Sequence, residues 1–143
     1  MKYISLLLLF VAASFSGFTQ NKDAILGKWT NSSNEANIEI FKKGEQYFGK
    51  IVWLKAPKDE NGKVKTDLNN PDPNLQSKPI LGLQILNRFV YDDGKWTDGK
   101  IYDPKSGKTY SCNITLNKSG DLNIRGYIGV AMFGRTEIWK RVK

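Results

Sequence analysis

The most recognisable chemical string in the chain is YDPKSGKTY, residues Tyr102 to Tyr110. Its Ser106-Gly107-Lys108-Thr109 centre matches the ending of a phosphate-cradling Walker A loop, G-x-x-x-x-G-K-[ST]. That loop needs a glycine five positions before its second glycine, and Tyr102 stands there instead. It also needs a helix after the Lys-Thr, because the helix N-terminus supplies aligned N–H groups. Thr109–Leu116 instead alternates, with Tyr110, Cys112, Ile114 and Leu116 on one side and Thr109, Ser111, Asn113 and Thr115 on the other. This is a strand period. Asp103-Pro104-Lys105-Ser106-Gly107 carries turn chemistry throughout, so the string predicts a hairpin tip rather than a nucleotide site.

Other routes to catalysis are equally thin. The chain has no histidine, which removes Ser-His-Asp and Cys-His nucleophiles and histidine-based zinc sites. Cys112 is the sole cysteine and excludes an intramolecular disulfide; its place on an apolar strand face suits a small buried hydrophobe. Glu39, Asp98, Asp103 and Glu137 lie on or near expected strands, but no spacing singles out a glycosidase-like pair. Asp67-x-Asn69-x-Pro71-Asp72 offers oxygen ligands without the EF-hand pattern, and a Pro-Asp turn accounts for it. No catalytic residue, metal or cofactor is therefore expected. The suggestive set is aromatic and basic. Trp29, Trp53, Trp96 and Trp139 fall on four different expected strands, and Arg125, Arg135 and Arg141 on the last two. Trp29, Trp53, Trp96, Tyr110, Arg125, Tyr127, Arg135 and Trp139 are the candidate ligand-binding residues. For any single tryptophan, core filling is the plainer role.

The elements that must position them are short and extended. Lys2, the apolar run from Ile4 to Ala13, and the following SFSGFTQ have the order of an export signal, too short to span a bilayer comfortably. Residues 1–20 are read as that signal and residues 21–143 as one domain, periplasmic or extracellular. Removing Lys2 lowers the net charge from +8 to +7, a surface that draws anions through scattered lysines rather than a block. NKDAIL allows one helical turn, and Gly27-Lys28-Trp29 opens the first strand. Ala36–Lys42 alternates. Tyr47–Leu54 places Tyr47, Gly49, Ile51 and Trp53 on one face. Residues 56–79 hold four of the five prolines and no strand, either a lid over a cavity mouth or a packed crossover. Strands resume at Gln84–Tyr91, turn at Asp92-Asp93-Gly94, and run on through Trp96–Asp103, with a bulge near Gly99. Thr109–Leu116, Leu122–Tyr127 and Arg135–Arg141 follow. About eight strands at this spacing, joined by hairpins, predict an all-β antiparallel up-and-down barrel, since closure removes the sheet edges.

Gly27-x-Trp29 and a late arginine resemble the calycin group of lipocalins, fatty-acid-binding proteins and avidins. There the tryptophan packs beneath the barrel end against that arginine, with Arg135 or Arg141 the counterpart here. A second set spans nearly the whole mature chain: Tyr47-x-Gly49-x-Ile51, Asn70-Pro71-Asp72-Pro73, Trp96-x-x-Gly99-x-Ile101-Tyr102-Asp103-Pro104-x-x-Gly107-Lys108-x-Tyr110, Arg125-Gly126-Tyr127-x-Gly129 and Gly134-Arg135-Thr136-x-x-Trp139-x-Arg141. With Gly27-x-Trp29, it resembles the exported bacterial family called domain of unknown function 2147. The resemblance implies a lipocalin-like barrel and brings no activity with it. Two functions are expected to compete. One is a barrel holding a small, largely apolar and possibly anionic ligand. The other is a filled-barrel module of the cell envelope, acting through its basic surface or the 56–79 loop. Neither a nucleic-acid partner nor stable membrane insertion after signal removal is expected. On the last strand Arg135, Glu137, Trp139 and Arg141 share one face, and a one-residue slip decides whether that face looks inward.

Overall fold

The computed structural model describes residues 21–143. The expected signal, residues 1–20, lies outside them. The strands are β1 (Gly27–Thr30), β2 (Ala36–Lys43), β3 (Gln46–Leu54), β4 (Gln84–Asp92), β5 (Lys95–Asp103), β6 (Lys108–Leu116), β7 (Leu122–Tyr127) and β8 (Arg135–Arg141). They close in sequence order into one antiparallel barrel, the lipocalin-like architecture expected. Local chemistry sets the joints. Between β4 and β5, Asp93 at φ 45° and Gly94 at φ 81° both take the left-handed region that a two-residue type I′ hairpin demands. The seam is the weakest ladder: β1 pairs with β8 only at Trp29↔Arg141 and Thr30↔Lys140.

Directly opposed residues share a face, so the register sorts each strand. Trp29, Ile38, Ile40, Tyr47, Ile51, Leu86, Trp96, Cys112, Ile114, Ile124 and Trp139 point inward and are all buried. Bulges break the simple alternation. Asn37 opposes Trp53 while Ile38 opposes Ile51, which leaves Val52 as the extra residue. Across β5 and β6 the register slips between Trp96 and Gly99, where Asp98 takes φ 59°, placing the bulge where the sequence suggested. A side chain on Gly99 would meet the Phe89 ring at 2.3 Å, so only glycine lets that ring lie flat against the wall.

One end of the barrel is sealed. The segment before β1 makes a single turn, with Ala24 N–H donating to Asn21 O (3.0 Å) and Leu26 N–H to Asp23 O (3.1 Å). It lies across the barrel base because aromatic donors hold it there. Trp96 Nε1 donates to Lys22 O (3.0 Å), Trp29 Nε1 to Ile25 O (2.8 Å) and Tyr47 Oη to Asp23 Oδ1 (2.7 Å). The segment between β3 and β4 is a packed crossover. Ile51 and Gly82–Leu83 exchange backbone bonds, and Ile80 and Leu83 pack on the core. Asp67, fully buried, accepts from Tyr102 Oη (2.7 Å) and Asn70 Nδ2 (2.8 Å). Of the two roles the sequence left open for this segment, packed crossover is the one its hydrogen bonds fit.

Candidate functional site

The β1–β2 turn, the crossover, the β5–β6 tip and the β7–β8 loop gather at the opposite, open end. The β5–β6 tip is the YDPKSGKTY hairpin. Gly107 N–H donates to Asp103 O (2.8 Å), and the Asp103 carboxylate accepts from Lys105 N–H (3.0 Å) and Ser106 Oγ (2.8 Å). Asn69 Nδ2 donates to the carbonyls of Pro104 (3.2 Å) and Lys105 (2.9 Å), so the crossover clasps the tip. Lys105 reaches over the mouth to Glu35 on the β1–β2 turn, Nζ to Oε2 2.8 Å. Strands β1 and β5 are half the ring apart, so this contact straps the opening. The hydrogen bond holds the Glu35 carboxyl below the usual carboxylate range and raises the Lys105 ammonium. Asp103 and Glu137 add to the Lys105 shift, which puts their charge within reach of the strap. Both partners are more than half exposed, so water screens the pair and it adds little stability.

The register answers the question posed on the last strand. Arg135 opposes Gly126, Glu137 opposes Ile124 and Trp139 opposes Leu122, so the set with the arginines faces inward. Tyr110 opposes Ile101 on the same inner surface. Ile101, Tyr110, Gly126 and Glu137 are part-exposed and Arg135 is exposed, although all point into the ring. Cys112, Ile114, Ile124 and Trp139 below them are closed to solvent. The inner surface at the open end, the funnel, thus carries apolar and phenolic side chains with Arg135 and Glu137 above a buried floor. Trp139 Nε1 donates to Glu137 Oε2 (3.2 Å), which ties the carboxylate to the floor.

The eight residues singled out from sequence separate into three groups. Trp29, Trp96 and Trp139 are floor and base, at most 2% exposed, with every indole N–H already bonded. Tyr110 and Arg135 stand in the funnel. Trp53, Arg125 and Tyr127 face outward, away from the barrel interior where the sequence reading sought a ligand. The bulge at Val52 turns Trp53 out opposite Asn37, leaving it 45% exposed. Arg125 and Tyr127 oppose Asn113 and Ser111, on the polar face of β6. Arg125 binds the β7–β8 loop, donating from Nε to Ala131 O (2.8 Å), from Nη2 to Met132 O (3.3 Å) and from Nη1 to Thr136 Oγ1 (2.8 Å). Among the described residues no cluster of three or more His, Cys, Asp or Glu could hold a metal ion. Two open surface hollows, about 610 and 440 Å³, lie on the crossover, around Lys58–Asn61 and Lys78–Gln84, and not in the barrel.

At the sealed end, Arg141 lies over Trp29, its guanidinium carbon 4.1 Å from the ring centroid. It also donates to Leu26 O (3.1 Å) and Ala24 O (2.7 Å). Of the two arginines the calycin resemblance allowed, Arg141 is the counterpart, and Arg135 belongs to the other end. The family model described as "Uncharacterized protein conserved in bacteria (DUF2147)" matches residues 27–141. The chain belongs to the DUF2147 family. The DUF2147 match runs from Gly27 at the start of β1 to Arg141 at the end of β8, so the family unit is the barrel from seam to seam. Among solved structures, protein HP1028 of Helicobacter pylori, described as belonging to the lipocalin family, superposes with a TM-score of 0.72 at 23% identity over 83% of each chain. At that identity the likeness concerns the fold. No match is found among curated proteins.

Proposed function

We propose that this DUF2147 protein acts outside the cytoplasm and binds a small amphipathic ligand in the funnel rather than deep in the barrel. The observation that carries the reading is the β8 register, which turns Arg135 inward beside Tyr110 above a buried apolar floor. The apolar part of the ligand would rest on Ile101, Tyr110 and the floor, and an anionic head would meet Arg135. A guanidinium recognises a carboxylate with two parallel hydrogen bonds, which is why an arginine suits the role. The filled floor limits the ligand to a short acyl chain or a single ring. The likeness to a lipocalin-family protein supports small-ligand binding as the type of activity. Lys105 and Glu35, strapped across the mouth, would part to admit it.

The test is a titration with an environment-sensitive fluorescent short-chain carboxylic acid. Saturable binding is expected, and Arg135→Ala should weaken it about tenfold or more, the cost of one charge-assisted contact. Trp53→Phe, on the outer face, should leave it unchanged. Absence of saturable binding in the unsubstituted protein sinks the reading. That outcome would favour the second one, an envelope interaction module with a filled barrel. Its motivating observation is the packing of Trp29, Trp96, Trp139, Tyr47 and Phe89, none more than 2% exposed.

A further inference from the structure

The β7–β8 loop carries an apolar surface that neither reading uses. Ile128, Val130, Met132 and Phe133 are 73%, 56%, 80% and 79% exposed. Scattered exposed apolar residues are ordinary, but four within six positions at one tip of the molecule are not. From Gly126 to Gly134 the chain has no charged residue, and Arg125 and Arg135 bound the run on both sides. The loop is also held in shape. Ala131–Phe133 form a short 3-10 helix, and Arg125 grips the carbonyls of Ala131 and Met132 from behind. Gly134 lies so close to β7 that an added side chain would come within 2.7 Å of Gly126 O. The apolar side chains are therefore presented outward by a built backbone and are not the inside of a collapsed turn.

We propose that this tip docks the protein on an anionic phospholipid bilayer, with Ile128, Val130, Met132 and Phe133 entering the headgroup–acyl boundary. Shape favours lipid over a protein partner. The tip is convex and six residues long, short of the roughly 800 Å² per partner that a stable protein interface needs. A bilayer accepts a small convex wedge. Charge selects the lipid. Without Lys2 the chain carries a net +7, the wedge is flanked by Arg125 and Arg135, and Lys108 lies on the neighbouring β5–β6 tip at the same end. Such a rim is drawn to phosphatidylglycerol-type headgroups and not to neutral ones. Docking of this kind is peripheral and needs no spanning segment. Among the described residues no helix is long and apolar enough to cross a membrane.

The experiment is co-sedimentation of the mature chain, residues 21–143, with vesicles of phosphatidylcholine containing phosphatidylglycerol, against vesicles of phosphatidylcholine alone. Binding should be stronger to the anionic vesicles and fall as salt rises. The double substitution Met132→Ser with Phe133→Ser should reduce partitioning at least about tenfold, from the lost apolar area. Its thermal transition should stay unchanged, since neither side chain is buried. Leu68→Ser, also an exposed apolar residue but on the crossover, should bind like the parent. Equal binding by the parent and the double variant overturns the proposal, because the affinity would then come from elsewhere in the chain. So does a parent that is dimeric without lipid and becomes monomeric on the double substitution, which would make the tip a contact between copies. Vesicle binding is read apart from the fluorescent-acid titration, so the two proposals fail independently.

Discussion

Residue types that look alike in this chain have different fates, and their partners decide which. Trp29 spends its N–H on Ile25 and its ring face on Arg141, so it holds the base shut and offers nothing to a ligand. Trp53 has the same chemistry with 45% of its surface in water. Tyr47 and Tyr102 each donate to a carboxylate, Asp23 and Asp67. Burial, with that hydrogen bond, pushes the Tyr47 phenol far above its ordinary range and Tyr102 up to about 12. Cys112 is fully buried, and burial pushes its thiol up to about 12. The thiolate is the reactive form. A disulfide reagent at mildly alkaline pH should therefore modify native Cys112 at least about a hundredfold more slowly than the urea-unfolded chain. Comparable rates would mean that the thiol is open to solvent. The buried role of Cys112 was legible in the sequence because its strand alternates without interruption. The outward turn of Trp53 was not, because the bulge at Val52, unlike the one near Gly99, has no glycine to mark it.

At the scale of elements, hairpin tips and bulges position the functional end. Gly107 shows how tightly one tip is bound to the crossover. It takes φ 71°, and a side chain there would lie 1.9 Å from Asn69 O. Gly44, in the β2–β3 hairpin, has φ 59° with open space around it. Gly44→Ala should cost only the left-handed strain, about 1–2 kcal/mol. Gly107→Ala should cost that plus about 1–3 kcal/mol for displacing the Asn69 backbone. Chemical denaturation of both variants checks the difference, and equal losses would show that the crossover does not rest on the tip. The turn chemistry of YDPKSGKTY was readable, as was the absence of a Walker glycine. Its clasp by Asn69 was not, because residues 35 apart in sequence meet only when the crossover folds back.

On the scale of the whole molecule, the barrel is sealed at one end and open at the other, and Arg141 ties the seal across the short β1–β8 seam. Arg141→Ala removes a cation–π contact and two charged hydrogen bonds and should destabilise the protein by about 2–3 kcal/mol. The melting temperature should fall by roughly 5–10 °C. Arg135→Ala, at the open end, should change stability by about 0.5 kcal/mol or less. Similar losses in the two variants would contradict this division between the ends. The amino-acid sequence by itself determined the antiparallel strands, their order and their closure. Period-two alternation and short Gly- and Asp-containing turns leave neighbouring strands little choice but to pair in succession. It also determined membership of the family, through residues spread from Gly27 to Arg141. Only the tertiary structure decided which face of β7 and β8 looks inward, which arginine seals and which lines the mouth, and that the tryptophans form a floor. A two-residue period defines two faces but not their direction. The direction comes from cross-strand partners, and a single bulge, as at Val52, reverses it for every residue that follows on that strand.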